Sequence, residues 1–159
     1  MKLDVLPEKQ PWFADGLDFT CTQCGNCCTG PPGYVHLTDE ELRRLANFLK
    51  ISVEETTERY CRRMGSRLSL KEKRGRGGWD CIFLEEVEGK RICTVYPVRP
   101  LQCRTWPFWD GNLESRKNWD VAAKRCPGMN RGGRHFAQEQ IEALRDAQDW
   151  PENPPTSNE

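Results

Sequence analysis

The stretch that decides the fold is Cys21-Thr22-Gln23-Cys24-Gly25-Asn26-Cys27-Cys28, which places four cysteines within eight residues. Two thiolates separated by two residues can hold one ion, because the turn between them points both sulfurs inward. Gly25 relieves that turn sterically. Cysteine this dense in an irregular segment predicts a metal site.

The adjacent residues Cys27 and Cys28 argue against a self-contained site of four ligands. Neighbouring side chains diverge, so we expect one of the two to serve a second metal or a different corner of a cluster. Later cysteines then supply the remaining ligands, and these are Cys81, Cys93, Cys103 and Cys126. Eight cysteines suit two four-coordinate sites or one multinuclear site, and the spacing leaves both arrangements open.

The ninth cysteine and the two histidines are weaker candidates. Cys61 follows Tyr60 in a predicted helix, where a buried, small apolar role is the simpler interpretation. His36 is predicted to lie in a strand-like entry to a helix, and His135 to open the last helix. A lone histidine is more often structural than ligating.

Composition and charge restrict the class of protein. The chain has 159 residues, which suits one domain, and apolar residues make up only 36 %, which is a thin supply of core. Lys plus Arg and Asp plus Glu balance at 24 each, so net charge gives no sign of bulk nucleic-acid binding. No apolar run of about 18 residues is present, so no membrane-spanning helix is expected.

The N-terminal stretch lacks the basic start and apolar run of a signal peptide, so we predict a cytoplasmic location. Thiols stay reduced in that compartment, and dense cysteine there indicates metal or redox chemistry before disulfides. The odd count of nine cysteines also argues against a fully paired disulfide framework.

The pattern predicts an α+β fold: a small, irregular, metal-stabilised single domain with a helical hairpin, a short antiparallel β hairpin and a C-terminal helix. The predicted domain boundaries are an extended lead-in over 1–18, a cysteine-cluster domain over 19–150 and a disordered tail over 151–159. Capping boxes at Thr38 and Ser52 start the helical hairpin. The predicted elements are helices 39–49, 53–64 and 135–148, a strand 67–74, a hairpin of strands 79–84 and 91–96, and loops over 97–107 and up to Cys126.

The cysteine ligands and their spacing predict that the metal is zinc or iron. Zinc is the common choice in all-cysteine structural sites. Cys21, Cys24 and Cys27 also match the first three ligands of a bacterial ferredoxin-type run, and Cys126-Pro127 provides a remote cysteine before a proline. Iron, alone or as an iron–sulfur cluster, therefore stands beside zinc, whereas thiolate ligation argues against magnesium or calcium.

At these residues the sequence resembles the YkgJ-type cysteine-cluster family, known for its CxxCxxCC motif. The resemblance covers roughly residues 19–128, and only Cys61 lacks a counterpart in its pattern. Its separated pieces are Phe19–Cys28, Leu37-Thr38-Asp39, Asp80–Leu84, Cys93–Tyr96, Arg99-Pro100, Cys103-Arg104, Trp106-Pro107-Phe108 and Cys126-Pro127-Gly128. It implies chelation of zinc or iron. A related cysteine block in a flagellin lysine methylase leaves a protein-modifying enzyme as an alternative.

Two groups of residues near the later cysteines complete the expected site. Arg99 and Arg104 would stabilise a net negative thiolate centre electrostatically. Trp106, Phe108 and Trp109 would cover the site from water or present a surface to a protein partner.

The sequence supports three functions: a metal-binding module with a structural or carried metal, a redox or metal-dependent enzyme, and a zinc-stabilised adaptor for protein or RNA. The basic stretch 71–78 is the feature behind the RNA alternative, although a solvated hairpin tip is the simpler interpretation.

Overall fold

The computed structural model describes residues 8–147, which form one small domain of mixed α and β structure. The predicted α+β class is therefore confirmed. The helices are α1 Asp39–Leu49, α2 Val53–Tyr60, α3 Leu101–Thr105, α4 Asp110–Leu113, α5 Arg116–Ala123 and α6 Gln138–Asp146, with 3₁₀ turns at Asn26–Cys28 and Tyr96–Val98. The strands are β1 Leu17–Asp18, β2 Thr29–Gly30, β3 His36–Leu37, β4 Cys61–Met64, β5 Arg67–Leu70, β6 Glu72–Gly75, β7 Gly78–Cys81, β8 Leu84–Val87, β9 Lys90–Cys93 and β10 His135–Phe136.

The predicted helical hairpin is present, and its caps are those that the sequence announces. The Thr38 hydroxyl accepts from the Glu41 amide at 3.2 Å, while the Glu41 carboxylate accepts from the Thr38 amide at 2.9 Å. The Ser52 hydroxyl accepts from the Glu55 amide at 3.0 Å and caps α2, but the Glu55 carboxylate accepts from Arg59, so the capping box predicted there has only its hydroxyl half. The prediction that the second helix runs to residue 64 is wrong, because Cys61–Met64 pair with β5 instead.

The predicted strand 67–74 is two strands that belong to different sheets. β5 pairs with β3 and β4, whereas β6 pairs with β7, which in turn pairs with β2. Lys71 separates them: its amide donates to the Tyr60 carbonyl and its own carbonyl accepts from the Ile82 amide. The chain thus changes sheets at one residue, which an alternating pattern cannot reveal.

The predicted β hairpin exists, but its strands are shifted. β8 and β9 pair around Glu88 and Gly89, both with positive φ, as a tight two-residue hairpin turn requires. Cys93 lies on a strand of this hairpin, as predicted. Cys81 lies instead on β7, opposite Glu72 of β6, so the prediction that Cys81 and Cys93 lie on the two strands of one hairpin is wrong.

The segments predicted as loops before Cys126 contain three helices. Prolines interrupt this region, but they lie at the ends of short helices, as Pro100 does at the start of α3. The hydroxyl of Ser115 caps α5, which buries Trp119 and Ala122 against the body.

β1, near the start of the described residues, pairs with β10, near their end, in a two-stranded sheet. His135 therefore lies in a strand rather than at the start of the last helix, which begins at Gln138. Phe13 and Leu17, from the predicted lead-in, are buried in a core. The predicted tail 151–159 lies outside the described residues.

Two apolar cores organise the fold and share the walls of the candidate site. The first includes Phe13, Leu17, Phe108, Leu113, Trp119, Met129 and Ile141, with Cys126 packed against it. The second includes Leu37, Leu42, Leu45, Cys61, Leu70, Phe83 and Val95, with Cys81 and Cys93 packed against it. Cysteines attached to different cores are thus brought toward each other.

Candidate metal centre

All eight cysteines predicted as metal ligands line one cavity of about 510 Å³. They are Cys21, Cys24, Cys27, Cys28, Cys81, Cys93, Cys103 and Cys126. They come from the N-terminal loop, the ends of β7 and β9, helix α3 and the segment after α5. Cys61 does not line the cavity and is 5 % exposed in the second core, as its apolar interpretation predicts. All nine cysteines are free thiols.

A second cavity, of about 290 Å³, shares part of the cysteine wall. Four cysteines line both cavities, and they are Cys27, Cys28, Cys81 and Cys103. The remaining four line the larger cavity alone. The two sets therefore differ in position: the shared four stand between two cavities, whereas the others surround one.

The N-terminal cysteine loop is shaped by local backbone contacts. Amides two residues downstream donate to the sulfurs of Cys21 and Cys24, each at 3.4 Å. Gly25 has a φ of +76°, and a Cβ there would stand 3.0 Å from the Leu84 side chain. The steric role predicted for this glycine is therefore confirmed.

The adjacent residues Cys27 and Cys28 point the same way. Their sulfur atoms lie 3.9 Å apart, so the expectation that neighbouring side chains diverge is wrong for this pair. The 3₁₀ turn Asn26–Cys28 is the local cause, because it curls the backbone under both residues. The Cys28 thiol, acting as donor, lowers the pKa of Cys27 to about 7, assisted by Arg99 and Arg125. The same hydrogen bond, together with burial, raises the pKa of Cys28.

The later cysteines lie in a more desolvated environment. Burial raises the pKa of Cys81 to about 11 and also raises the pKa values of Cys93 and Cys103. Negative charge on Cys81, Cys27 and Cys93 adds to this increase in the pKa of Cys103. A cation in the cavity would reverse this repulsion and favour the thiolates.

Two arginines line the cavity, and no Asp or Glu is among the described residues that line it. Arg99 donates through Nε to the Tyr96 carbonyl at 3.0 Å, and its guanidinium carbon stands 3.7 Å from the Tyr96 ring centre. Arg125 donates to the carbonyls of Thr29 and Asn26 at 2.9 and 3.2 Å. Arg104 is exposed and does not line the cavity, so the structure does not bring it to the cysteines as it brings Arg99.

Arg125 is a residue that the sequence reasoning missed. The signal was available, because Arg125 precedes Cys126 just as Arg104 follows Cys103. Asn26 was missed as well: its amide donates to the Arg125 carbonyl at 2.7 Å, and its oxygen accepts from Arg91. These contacts tie the cysteine loop to α5 and β9.

The three aromatic residues expected to cover the site separate into two groups. Trp106 and Trp109 line both cavities and meet edge to face, with ring centres 4.8 Å apart. Phe108 is 1 % exposed and stacks on Trp119 in the first core, so it presents no surface to a partner. The expectation for Phe108 is wrong because its ring is buried in the first core and lines neither cavity, unlike Trp106 and Trp109.

Neither histidine lines the cysteine cavities. His36 lies in β3, as its predicted strand-like position requires. His135 bonds through Nδ1 to the Asp18 carboxylate at 2.7 Å, across the β1–β10 pair. Their positions account for both residues without a ligand role.

The basic stretch 71–78 forms the β6–β7 hairpin, and its cations have local partners. Lys73 pairs with Glu85 at 2.9 Å, Arg76 lies 3.6 Å from Glu86, and Arg74 lies over Trp79. Acidic neighbours therefore offset the positive surface that an RNA partner would use.

The side chains that line the cavity are of the types that bind thiophilic metals. They are arranged around an open volume, however, and do not converge on one position. Eight thiols, two guanidinium groups and no carboxylate form a lining suited to zinc or iron. Among residues 8–147, no group of three or more His, Cys, Asp or Glu side chains stands close enough together to hold a metal ion. Binding one ion thus requires cysteine side chains to turn toward it.

The chain belongs to the CxxCxxCC family, described as "Putative zinc- or iron-chelating domain", whose model matches residues 20–127. An uncharacterized protein of Methanocaldococcus jannaschii is 36 % identical over 97 residues, which cover 60 % of this chain and 48 % of that protein. The chain thus spans about half the length of this relative. No solved structure gives a significant match. Family membership supports metal binding in general.

The part of the chain that the structure describes has no helix with the length and apolar character needed to cross a bilayer.

Proposed function

We propose that this protein binds zinc or iron through the eight cysteines that line the larger cavity, and that the metal is structural or carried. The observation behind the proposal is that all eight predicted ligands line this one cavity while Cys61 is buried elsewhere. These cysteines are spread over more than a hundred positions of sequence. Their convergence is unexpected for cysteines that merely fill a core, which would lie within either apolar cluster as Cys61 does.

The charge of the lining supports the same proposal. A divalent ion held by four thiolates carries a net charge of about −2, from four negative ligands and two positive charges on the metal. Arg99 and Arg125 provide two positive charges at the cavity, and neither has a carboxylate partner among the described residues. The arginines would therefore balance a metal–thiolate centre. The charge-balancing role of Arg99 and Arg125 is part of the proposal, which leaves out Arg104 because it is exposed and does not line the cavity.

The cavity size favours a second candidate function, a metal-dependent enzyme. A bare ion needs far less than 510 Å³, whereas pockets for small organic molecules measure roughly 300–1,000 Å³. Aromatic side chains of Tyr96, Trp106 and Trp109 line the space beside the cysteines. An iron–sulfur cluster would also occupy more of it than zinc does. The cytoplasmic location stays a prediction that goes with either candidate.

Anaerobic purification followed by metal analysis and an absorption spectrum tests the proposal. Stoichiometric zinc in a colourless protein, or iron in a coloured one, supports metal binding. Labile sulfide with broad visible absorption supports an iron–sulfur centre and moves the assignment toward the enzyme. A folded protein that contains neither metal and takes up neither on reconstitution contradicts the proposal.

A further inference from the structure

One buried polar group beside the cysteines lacks a partner. The indole Nε1 of Trp106 is shielded from solvent and has no hydrogen-bond partner within the described residues. Buried donors are nearly always paired in native proteins, so an isolated one calls for an explanation. A group that this structure does not contain is one such explanation.

The other core tryptophans show that this fold otherwise satisfies its indoles. Trp12 donates to the Leu113 carbonyl at 2.7 Å, and Trp119 donates to the Asn130 side chain at 2.8 Å. Trp109, in edge-to-face contact with Trp106, donates to the Gln102 carbonyl at 3.0 Å. Among the solvent-shielded indoles of residues 8–147, that of Trp106 is therefore the unpaired one, although Trp109 lines the same two cavities.

The position of Trp106 indicates which group it serves. Its side chain lines both cavities, as do Cys27, Cys28, Cys81 and Cys103. Cys103 lies within α3 and precedes Trp106 by three residues, and Trp106 directly follows the last residue of that helix. Two other polar side chains of the described residues line both cavities: that of Thr29 donates to Asp80 at 2.5 Å and that of Trp109 donates to the Gln102 carbonyl. The four cysteine sulfurs are thus the most numerous side-chain acceptors that the described residues place on the shared walls.

We infer that the Trp106 indole N–H donates a hydrogen bond to a metal-bound thiolate of this shared wall. The inference rests on the proposed function and gives Trp106 a positioning role beside the metal rather than a ligand role. A neutral thiol is a weak acceptor, whereas a thiolate accepts strongly, so the indole N–H suits a thiolate better than it suits a thiol. Partners of this kind orient metal ligands and tune the electron density on them.

Cobalt(II) provides the test, because its thiolate complexes absorb in the visible and near ultraviolet. Trp106→Phe keeps an aromatic ring and removes only the N–H side of the indole. Losing a hydrogen bond raises the energy of the sulfur lone pair, so the sulfur-to-cobalt charge-transfer band should move to longer wavelength. Cobalt affinity, measured by chelator competition, should fall about tenfold.

Trp109→Phe is the matched control, since Trp109 lines the same two cavities but its N–H is bonded to a backbone carbonyl. It should lower thermal stability and leave the charge-transfer band in place. An equal band shift in both variants, or no shift in Trp106→Phe, overturns the inference.

A measurement on the parent chain covers the case in which Trp106→Phe fails to fold. With ¹⁵N-labelled tryptophan, the Trp106 indole proton should move downfield and exchange more slowly when cadmium(II) is added, while the Trp119 indole stays constant. An unchanged Trp106 signal in cadmium-loaded protein overturns the inference alone. If the parent chain binds neither cobalt nor cadmium, the proposed function fails first.

Discussion

The sulfur atoms of Cys27 and Cys28 lie 3.9 Å apart on the same side of the chain. In a tetrahedral zinc site with bonds of about 2.3 Å, two sulfurs stand about 3.8 Å apart. The observed separation therefore matches one edge of a single site. The sequence instead favours a second metal, or a different corner of a cluster, for one of the two cysteines, so the two interpretations predict different metal contents.

If both sulfurs bind one ion, the losses of bound metal caused by substituting Cys27 and Cys28 should not add. We expect Cys27→Ser and Cys28→Ser each to lower the bound metal by the same number of equivalents, and the double variant to lower it no further. Metal content of purified protein, measured by elemental analysis, checks this. A double variant that loses twice the metal of either single variant would show that the two residues serve separate ions.

Cys24→Ser and Cys61→Ser should separate metal binding from packing. Cys24→Ser should reduce metal content and melting temperature together, because a lost ligand removes binding free energy that stabilises the fold. Cys61→Ser places a hydroxyl in the second apolar core, where Cys61 is 5 % exposed. It should cost about 1–3 kcal/mol of unfolding free energy and leave metal content unchanged.

Paired measurements of metal content and thermal unfolding distinguish these cases. Our ligand assignment would be wrong if Cys24→Ser kept all its metal and melted like the parent. Loss of metal from Cys61→Ser, at a temperature where the variant is folded, would instead show that the ninth cysteine belongs to the site.

The sequence predicts this fold best where local chemistry decides it. α1 begins and ends at the predicted residues because the Thr38 capping box and a helical apolar stripe agree. The same reasoning fails at Cys61–Met64, where pairing with β5 overrides helix propensity. It fails again at Lys71, where the chain crosses between two sheets.

The candidate site, like the fold, is predicted by the sequence only in part. Cysteine identity is visible in the sequence, and the cavity gathers all eight predicted residues. The direction of a side chain depends on tertiary packing, which is why Phe108 turns inward between two tryptophans that do not. Arg125 stands beside Cys126 in the sequence, but its bonds to the Asn26 and Thr29 carbonyls, like the burial of the Trp106 N–H, come from tertiary packing that no local pattern encodes.

Arg99→Gln should weaken metal binding, whereas Arg104→Gln should not. Arg99 lines the cavity and its charge acts on Cys27, Cys93 and Cys103, whereas Arg104 is exposed outside it. Neutralising Arg99 removes a charge that offsets the thiolates, so we expect a loss of about tenfold in affinity. Chelator competition at two salt concentrations checks this, with Arg104→Gln as the matched control. Equal losses in both variants would contradict a specific role for Arg99.

His36 should make the stability of the fold depend on pH. Burial, assisted by the charge of Arg67, holds the pKa of His36 below the ordinary 6.5. The folded state then binds fewer protons than the unfolded state in this range. The stabilisation is fully present above about pH 6.5 and is lost as the pH falls through the folded pKa.

We therefore expect the unfolding free energy of the parent to fall, relative to that of His36→Gln, as the pH is lowered from 8 to 5. Comparing the two chains cancels the titrations that they share, including those of the cysteines. An NMR titration of the His36 ring gives the pKa directly, and a midpoint at or above 6.5 would contradict the argument.

Metal removal should speed local opening of the cysteine loop and of α3 much more than local opening of α1. Residues 20–25 contain no helix or strand, and the cysteine loop is attached through side-chain contacts such as Asn26 to Arg125 and Arg91 to the Cys24 carbonyl. α1 is instead fixed by its caps and by Leu42 and Leu45 in the second core. We expect chelation to speed amide hydrogen exchange in 20–28 and 101–105 by a larger factor than in 39–49, because local opening follows local contacts. Mass spectrometry of peptides from metal-loaded and chelator-treated protein measures both regions at once. If α1 opened as much as the cysteine loop, the metal would be holding the whole domain together, and the two apolar cores would not be stable without it.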